Sequence, residues 1–189
     1  MTKSVMIVGV GGQGSLLASK LLGRLLMDEG LDVKVSEVHG MSQRGGSVVT
    51  YVRYGEEVYS PIITKGEADI IIAFEKLEAA RYASFLKKDG KIIVNTQQID
   101  PMPVIIGAAE YPENVLDELT AKGVQVEALD ALSLAEKAGS SKAVNIVLMG
   151  KAAKYFDIPY DKWIKAIENT VAEKFIEMNK TAFNLGYNS

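Results

Sequence analysis

The 189-residue sequence contains no cysteine. This absence excludes disulfide bonds, a thiol nucleophile, zinc–thiolate sites and cysteine-ligated iron–sulfur clusters on this chain. Any electron transfer therefore requires a cluster that another subunit holds. The chain has a single histidine, and no second histidine, cysteine or acid cluster is spaced to complete a metal site with it. We therefore predict no metal site.

The sequence shows neither a block of lysine and arginine nor a long apolar run. Its formal net charge is −3, which argues against nonspecific binding to nucleic acid. No apolar stretch approaches the roughly 20 residues of a membrane-spanning helix. The N-terminal stretch MTKSVMIVGVGG lacks the longer apolar region and the cleavage site of a signal peptide. We therefore expect a cytoplasmic protein with no nucleic-acid or membrane partner.

The rest of the composition is that of an ordinary globular protein. Hydrophobic residues make up 48% of the chain and charged residues 24%. The length suits one domain, since domains commonly contain roughly 100–200 residues. No repeat, low-complexity segment or long linker divides the sequence. We predict a single domain over residues 1–189.

The first part of the chain has the pattern of a β-α-β unit. Val5 to Val10 is a continuous apolar run, typical of a strand buried on both faces. Gly14 to Glu29 carries leucines at helical spacing, and Gly30 suits the C-terminal cap. LDVKVSEV alternates apolar and polar residues and predicts a second strand. Such units build parallel sheets.

The middle of the chain predicts further strands. In SVVTYVRYGEEVYSP, two short strands flank Gly55 as a hairpin, so the sheet is expected to be mixed. ADIIIAFE predicts a buried strand, and EKLEAARYASFLKK a helix that stops at Asp89 and Gly90. KIIVN and PVIIGA are strand candidates, and Pro101 and Pro103 place the second at an edge.

The C-terminal half is predicted to be mostly helical. GVQVEALD predicts a last strand, and two amphipathic helices follow in AVNIVLMGKAAKYF and YDKWIKAIENTVAEKFIEMNKTAF. The elements together indicate an α/β fold: a three-layer Rossmann-like domain with a mostly parallel, mixed sheet and a helical C-terminal part.

Residues 9–14 read GVGGQG and match the pattern G-x-G-x-x-G between a strand and a helix. In such a turn Gly9 permits a tight bend, Gly11 lets the backbone approach a ligand, and Gly14 lets the helix pack closely on the strand. The amides at the helix N-terminus favour an anion.

The pattern alone leaves nucleotide or anion binding and simple packing equally open. A dinucleotide site requires an acid about 20 residues further on to hold the ribose, and Glu37 is the candidate. Three observations weaken that interpretation. Gln13 occupies a position facing the phosphate, an unusual loop follows Glu37, and no later segment offers an evident hydride-transfer site with a general acid.

The stretch SEVHGMSQRGGSV, residues 36–48, predicts a shaped loop that presents hydrogen-bonding groups. In an open α/β sheet, ligands bind at the edge where such a strand ends. Arg44 carries a planar, permanent charge suited to a phosphate or carboxylate, and His39 could move protons near neutral pH. The alternatives are a hydrogen-bonding role for His39 and a carboxylate partner for Arg44. A recognition or interface loop is favoured over catalysis.

The combination of GVGGQG with SEVHGMSQRGGSV resembles the gamma subunit, or gamma domain, of 2-oxoacid:ferredoxin oxidoreductases. The form HGMSQRGG is most similar to the beta subunit of indolepyruvate ferredoxin oxidoreductase, because related gamma subunits acting on pyruvate or 2-oxoglutarate have a different loop before their Arg-Gly pair. VYSPIITKGEADIIIAFEKLEAAR and NKTAFNLGY also match. The resemblance thus extends over nearly the whole chain.

This resemblance implies a subunit of an enzyme that oxidatively decarboxylates a 2-oxoacid, such as indolepyruvate or another aryl pyruvate, to an acyl-CoA. Electrons pass to ferredoxin, and coenzyme A is the co-substrate. Thiamine diphosphate, Mg and the iron–sulfur clusters are implied to lie on a large partner subunit, so this chain alone would bind no cofactor and would be inactive.

The two stretches are then expected to face that partner or its cofactors. The predicted cofactor-binding or partner-facing residues are Gly9, Gly11, Gly12, Gln13, Gly14, His39, Gly40, Met41, Ser42, Gln43, Arg44, Gly45 and Gly46. His39 is the one candidate for catalysis. The alternative function is a stand-alone NAD(P)-binding Rossmann oxidoreductase.

Overall fold

The computed structural model of the chain describes residues 2–39 and 45–189, with His39 described through its backbone alone. Along the chain the elements are β1 (Lys3–Val10), α1 (Ser15–Asp28), β2 (Asp32–His39), β3 (Ser47–Gly55), β4 (Ala68–Ala73), α2 (Lys76–Tyr82), β5 (Leu86–Asn95), α3 (Met102–Ile105), α4 (Val115–Ala121), β6 (Gln125–Leu129), α5 (Ala131–Ala138), α6 (Val144–Ala153), α7 (Tyr160–Thr170) and α8 (Ile176–Tyr187). Short 3₁₀ turns lie at Ala83–Phe85, Ser141–Ala143 and Glu173–Phe175.

The described strands form one mixed sheet in the order β2-β3-β1-β4-β5-β6. β1, β4, β5 and β6 run parallel, whereas β3 is antiparallel to both β1 and β2. The predicted mostly parallel, mixed sheet is therefore confirmed. The β1-α1-β2 unit is also present, but β3 lies between its two strands, so β1 and β2 do not pair.

Helices cover both faces of the sheet and complete three layers. Side chains of α1, α5, α6, α7 and α8 form one core with alternate residues of the central strands, including Val5 and Ile7. The intervening residues, including Met6 and Val8, pack on the other face with α2 and α4. Because β1 is buried on both faces, its residues from Val5 to Val10 form an uninterrupted apolar run. The three-layer Rossmann-like prediction is confirmed.

The hairpin predicted around Gly55 is wrong. Gly55 ends β3, and the following residues continue without a strand until Ala68. Arg53 fixes that connection by donating from Nη1 to the carbonyl of Ile62 at 2.9 Å. The Asp32 carboxylate accepts the backbone N–H of Val58 at 2.8 Å. The antiparallel pairing arises instead between β2 and β3, on either side of residues 40–46.

The predicted strand PVIIGA is also wrong, because α3 occupies Met102–Ile105. Pro101 is the N-cap of this short helix, and its carbonyl accepts the N–H of Ile105 at 3.1 Å. Proline fixes φ near the helical value and suits a first turn, which outweighs the strand preference of the β-branched residues that follow.

The helix predicted over EKLEAARYASFLKK is shorter than expected. It ends at Tyr82, and β5 begins at Leu86, which pairs with Ala68. The pair Asp89-Gly90 therefore lies inside a strand, beside a shift of register between β4 and β5. A β-carbon at Gly90 would lie 3.0 Å from the Ala68 carbonyl oxygen, so glycine permits this close pairing.

The C-terminal part is helical as predicted, but two details differ. The stretch expected to form one long helix is divided at Val171, whose extended backbone (φ −97, ψ 154) ends α7 before α8. The preceding helix, α6, is not amphipathic, because all of its residues except Lys151 are buried. It lies in the interior, packed against α8. Gly186 allows the contact, since a β-carbon there would lie 1.9 Å from the Val147 carbonyl oxygen.

Candidate functional site

The two glycine-containing stretches meet at the carboxyl edge of the parallel strands. Gly11 donates its backbone N–H to the carbonyl of Gly46 at 2.9 Å, and Gly45 donates to the carbonyl of Gly11 at 3.4 Å. These bonds continue the β1–β3 ladder, in which Val10 pairs with Ser47. The two stretches therefore form one surface at the edge where open α/β sheets bind ligands.

The glycines of the turn have different roles from those expected. Gly9 lies in β1, where a β-carbon would lie 2.9 Å from the Phe74 β-carbon, so its role is close packing. The bend is made by Gly12 and Gly14, with φ of +103° and +88°. A β-carbon at Gly14 would lie 2.8 Å from Asn145 Nδ2, so Gly14 allows close contact with α6, where packing against a strand was predicted.

Gln13 points back into the sheet edge. Its Oε1 accepts the Val10 N–H at 2.8 Å, and its Nε2 donates to the Phe74 carbonyl at 3.0 Å. Nε2 is also 3.4 Å from Gln97 Oε1, which in turn accepts from Asn95 Nδ2 at 3.3 Å. Gln13 therefore ties the ends of β1, β4 and β5 together. Its amide therefore bonds to the protein's own backbone, and its expected position facing a phosphate stays a prediction.

A cavity of about 440 Å³, called here the turn cavity, opens above Gly12, Gln13 and Gly14. Its other lining residues are Gln97, Leu132, Ser141, Lys142 and Val144. The lining includes the N-terminal ends of α1, α5 and α6. Asp130 caps the Ser133 N–H of α5 and Asn145 bonds the Ile146 N–H of α6, whereas α1 has no side-chain cap. The uncapped end of α1 and the Lys142 ammonium favour an anionic group in this cavity.

A second cavity of about 460 Å³, called here the loop cavity, lies beside Gly45 and Gly46. Two glutamates of the α2 region line it, and both are buried: Glu75 is 1% exposed and Glu78 is 5% exposed. Glu78 accepts a short hydrogen bond from the Ser47 hydroxyl and pairs with Arg81 Nε at 3.1 Å. Burial raises the pKa of Glu78, although the contacts with Ser47 and Arg81 lower it.

Glu75 also lines the loop cavity, and its hydrogen bonds connect neighbouring segments of the lining. It is the N-cap of α2, and its Oε2 accepts the N–H of Glu78 at 3.0 Å. Its Oε1 accepts the N–H of Ile99 at 3.2 Å and a short hydrogen bond from the Tyr111 hydroxyl. Burial and this bond raise the pKa of Tyr111, so the phenol remains a donor at neutral pH.

The structure describes only part of the predicted second loop. The backbone of His39 ends β2 and pairs with Val48, which places it near the same edge. Gly40, Met41, Ser42, Gln43 and Arg44 lie outside the described residues, so their predicted roles remain predictions. Gly45 and Gly46 are described, and both line the loop cavity.

Glu37, the acid expected to hold a ribose, does not stand at the glycine turn. It lies in the edge strand β2, separated from β1 by β3, at the level of Ile7 in mid-sheet. Its Oε1 accepts a hydrogen bond from the Ser19 hydroxyl of α1 at 3.2 Å. Two strand spacings amount to about 10 Å. This geometry does not favour the dinucleotide interpretation.

The described residues contain no cluster of metal ligands. Among them, no group of three or more histidine, cysteine, aspartate or glutamate side chains could hold a metal ion. In the same part of the chain, no helix is long and apolar enough to cross a membrane. The site consists of two cavities, backbone hydrogen-bonding groups and the Lys142 ammonium, and these features suit the binding of an anionic group.

A family model described as pyruvate ferredoxin/flavodoxin oxidoreductase matches residues 4–189. The chain belongs to this family. It is 42% identical over 192 residues to the indolepyruvate oxidoreductase subunit IorB of Archaeoglobus fulgidus, with 100% of this chain and 95% of that protein covered. The resemblance carried by GVGGQG and HGMSQRGG is thereby confirmed.

Solved structures share the fold. The chain is similar to the pyruvate oxidoreductase subunit PORC of Thermotoga maritima, with a TM-score of 0.75, 18% identity, and 100% and 96% of the two chains covered. It is also similar to part of 2-oxoglutarate:ferredoxin oxidoreductase from Magnetococcus marinus, with a TM-score of 0.73 and 18% identity. That match covers 99% of this chain and 30% of the other, so there the fold is one part of a longer chain.

Several residues of the site were missed from sequence: Glu75, Glu78, Asn95, Gln97, Tyr111, Lys142 and Asn145. A signal existed for two of them. Glu75 and Asn95 each stand at the end of a buried apolar strand, the position where polar side chains collect at the carboxyl edge. Tyr111 and Asn145 reach the site through tertiary contacts from distant segments, and no local pattern marks them.

Proposed function

We propose that this chain is the small subunit of an indolepyruvate-type 2-oxoacid:ferredoxin oxidoreductase. The complex oxidatively decarboxylates an aryl pyruvate to an acyl-CoA and passes the electrons to ferredoxin. A large partner subunit holds thiamine diphosphate, Mg and the iron–sulfur clusters. The 42% identity to a subunit named for indolepyruvate supports the substrate class. The absence of cysteine fits clusters that lie on the partner.

The observation that carries the proposal is the backbone pairing of Gly11 with Gly45 and Gly46. It makes the two stretches that resemble the family into one continuous surface at the carboxyl edge of the sheet. Because Gly11, Gly45 and Gly46 carry no side chains, a partner backbone or cofactor can approach closely at these three residues. This surface is proposed to face the partner subunit.

The chemistry of the reaction belongs to the bound thiamine diphosphate, which supplies carbanion stabilisation during decarboxylation. The residues of this chain contribute enclosure and electrostatics. The Lys142 ammonium and the uncapped N-terminal end of α1 contribute positive potential to the turn cavity, which suits a phosphate of coenzyme A or of the cofactor. Gln13 keeps the underlying strands in register and so fixes the floor of that cavity.

The test is reconstitution with the large, cysteine-rich partner. The assembled pair is expected to reduce viologen or ferredoxin in a reaction that requires an aryl pyruvate and coenzyme A, whereas the isolated chain shows no turnover. Full activity of the partner alone would contradict the proposal. Titration of the isolated chain with NAD(H) and NADP(H) addresses the alternative, and no heat at millimolar ligand is expected.

Two substitutions test whether side chains of this subunit assist ligand binding and turnover or whether the subunit is only a scaffold. Lys142→Ala is expected to raise the KM for coenzyme A or the apparent Kd for thiamine diphosphate about tenfold, in keeping with one charge-assisted hydrogen bond. Lys122→Ala, at the end of α4 on the other face of the sheet, is the matched control. Arg44→Ala is expected to assemble with reduced turnover, and normal turnover in both Arg44→Ala and Lys142→Ala would indicate a scaffold.

A further inference from the structure

A single buried carboxylate fastens both ends of one long connection at the site. The connection comprises residues 99–111, called here the arm, and carries α3. At its start the Ile99 N–H donates to Glu75 Oε1 at 3.2 Å, and at its end the Tyr111 hydroxyl donates to the same oxygen. Tyr111 also accepts the Leu77 N–H at 3.1 Å, which binds the end of the arm to the first turn of α2.

Within the described part of the chain, hydrogen bonds satisfy the charge of Glu75. Its second oxygen accepts the N–H of Glu78, so three donors converge on one carboxylate that is 1% exposed. Among the described residues, no lysine or arginine forms an ion pair with it. Removing one donor therefore leaves a buried carboxylate lone pair unsatisfied, which is costly in a buried site. The arm and α2 thus depend on each other.

The arm presents an exposed apolar ridge. Met102, Ile105 and Ile106 are 64%, 65% and 68% exposed. Met102 and Ile105 line the loop cavity, as Gly45 and Gly46 do. Apolar side chains this exposed and this close together are typical of an interaction surface. The ridge and the surface proposed to face the partner therefore border the same cavity.

We propose that Glu75 is a positioning residue that holds the arm in a preformed shape, so that Met102, Ile105 and Ile106 dock against the thiamine-bearing partner subunit. The inference rests on the proposed function for the identity of the partner. Glu78 connects the two walls, because it contacts Glu75 through its N–H and Ser47, next to Gly46, through its carboxylate. A fixed arm lowers the entropy lost when the partner binds.

The first experiment uses the isolated full chain and hydrogen exchange. Glu75→Gln and Tyr111→Phe are each expected to speed amide exchange about tenfold within residues 99–111, the effect of losing one ordinary hydrogen bond. Exchange in the sheet should stay unchanged. Tyr160→Phe removes a comparable hydroxyl bond, to Asn184, far from the arm, and is the matched control. Unchanged exchange in the arm, or an increase spread evenly over the chain, would overturn the positioning role.

The second experiment measures binding of the purified large subunit. Ile105→Ser, Glu75→Gln and Tyr111→Phe are each expected to weaken binding about tenfold or more. Ile62→Ser, the same change at a residue 50% exposed in the connection from β3 to β4, is expected to bind as the wild type does. If Ile105→Ser binds the large subunit as tightly as Ile62→Ser does, the arm does not dock. If the wild-type chain self-associates and Ile105→Ser abolishes that self-association, the ridge is instead a contact between copies of this chain, which also overturns the proposal.

The two experiments separate the failure of this inference from that of the proposed function. If the wild-type chain does not bind the large subunit, the proposed function fails, and exchange in residues 99–111 still decides whether Glu75 positions the arm. If the complex forms and turns over but the arm variants bind normally, the docking role is wrong and the proposed function stands.

Discussion

Gly11 and Gly46, 35 positions apart in the sequence, share a backbone hydrogen bond of 2.9 Å from the N–H of the first to the carbonyl of the second. The bond extends the antiparallel β1–β3 ladder past its last paired residues, Val10 and Ser47. Each glycine stretch on its own is compatible with a nucleotide turn or with packing. Joined, they form one surface at the edge of the sheet, with the turn cavity beside Gly12 and the loop cavity beside Gly46.

The bend of the glycine turn provides the first prediction. Gly12 and Gly14 both have positive φ, but only Gly14 has a close neighbour, Asn145 Nδ2 at 2.8 Å from the position of a β-carbon. Gly12→Ala is expected to lose about 1–2 kcal/mol of unfolding free energy through backbone strain. Gly14→Ala is expected to lose about 1–3 kcal/mol more, because Asn145 must abandon its bond to the Gly14 carbonyl.

Urea unfolding of both variants checks this expectation. Gly12→Ala is the internal control, since it carries the same kind of strain in open space. Equal losses in the two variants would show that the contact with Asn145 does not restrict the turn.

The sequence predicted the central layers well and the connections poorly. β1 and β4 were identified because burial on both faces produces continuous apolar runs, a signal that survives without tertiary information. The α3 region failed because PVIIGA has the composition of a strand, whereas the two prolines set the first turn of a helix. Because the apolar side chains of α3 are exposed, their spacing carries no pattern of buried and exposed positions from which the helix could be predicted.

The site was predictable in position but not in its contacts. The described residues of the two glycine stretches lie at the carboxyl edge, as strand order predicts. The role of Gln13 was not predicted, because its hydrogen bond to the Phe74 carbonyl joins residues 61 positions apart. The division between α7 and α8 was not predicted either, and the close packing of α8 on α6 through Gly150 and Gly186 joins segments that no local pattern connects.

The contact of α6 with α8 gives the second prediction. A β-carbon at Gly150 would lie 2.1 Å from the Phe183 carbonyl oxygen, and one at Gly186 would lie 1.9 Å from that of Val147. Because backbone atoms cannot move aside, Gly150→Ala and Gly186→Ala are each expected to lower the unfolding free energy by about 3 kcal/mol or more. The thermal unfolding midpoint and urea titration report the loss.

Gly23 provides the opposite expectation. It lies inside α1, and a β-carbon there would lie 3.8 Å from Val35 Cγ2, an ordinary contact. Gly23→Ala is expected to gain up to about 1 kcal/mol, the helix propensity difference. If Gly186→Ala and Gly23→Ala change stability alike, close helix packing is not what requires glycine in α8.

The third prediction concerns the pH dependence that Glu78 confers. Burial raises its folded-state pKa, so the folded protein binds this proton more tightly than the unfolded chain. The contribution of Glu78 to stability is therefore fully present below the unfolded pKa of about 4.3 and is lost as pH rises through the folded pKa. The advantage of the wild type over Glu78→Gln should be larger at pH 4 than at pH 8.

Denaturant titrations of the two proteins across that range measure the difference. Glu113→Gln, an exposed position in the connection from α3 to α4, is the control for the chemical change itself. An advantage that is constant with pH, or that grows as pH rises, would contradict the assigned direction.

The last prediction concerns Gln13, whose amide donates to the Phe74 carbonyl and lies near Gln97 Oε1. Gln13→Ala is expected to lose about 1–3 kcal/mol at every pH, because the Val10 N–H and the Phe74 carbonyl both lose a partner. Gln13→Glu keeps the acceptor for Val10 but turns a second oxygen towards the Phe74 carbonyl. Protonation removes that repulsion, so the new carboxyl group should have a raised pKa.

The unfolding free energy of Gln13→Glu should therefore come near that of the wild type at pH 4 and fall as pH rises towards 7, whereas the deficit of Gln13→Ala stays constant. Urea unfolding at the two pH values, each referred to the wild type, makes the comparison. A pH-independent deficit in Gln13→Glu would mean that the side chain at position 13 turns away from Phe74, and that the turn cavity does not have a fixed floor.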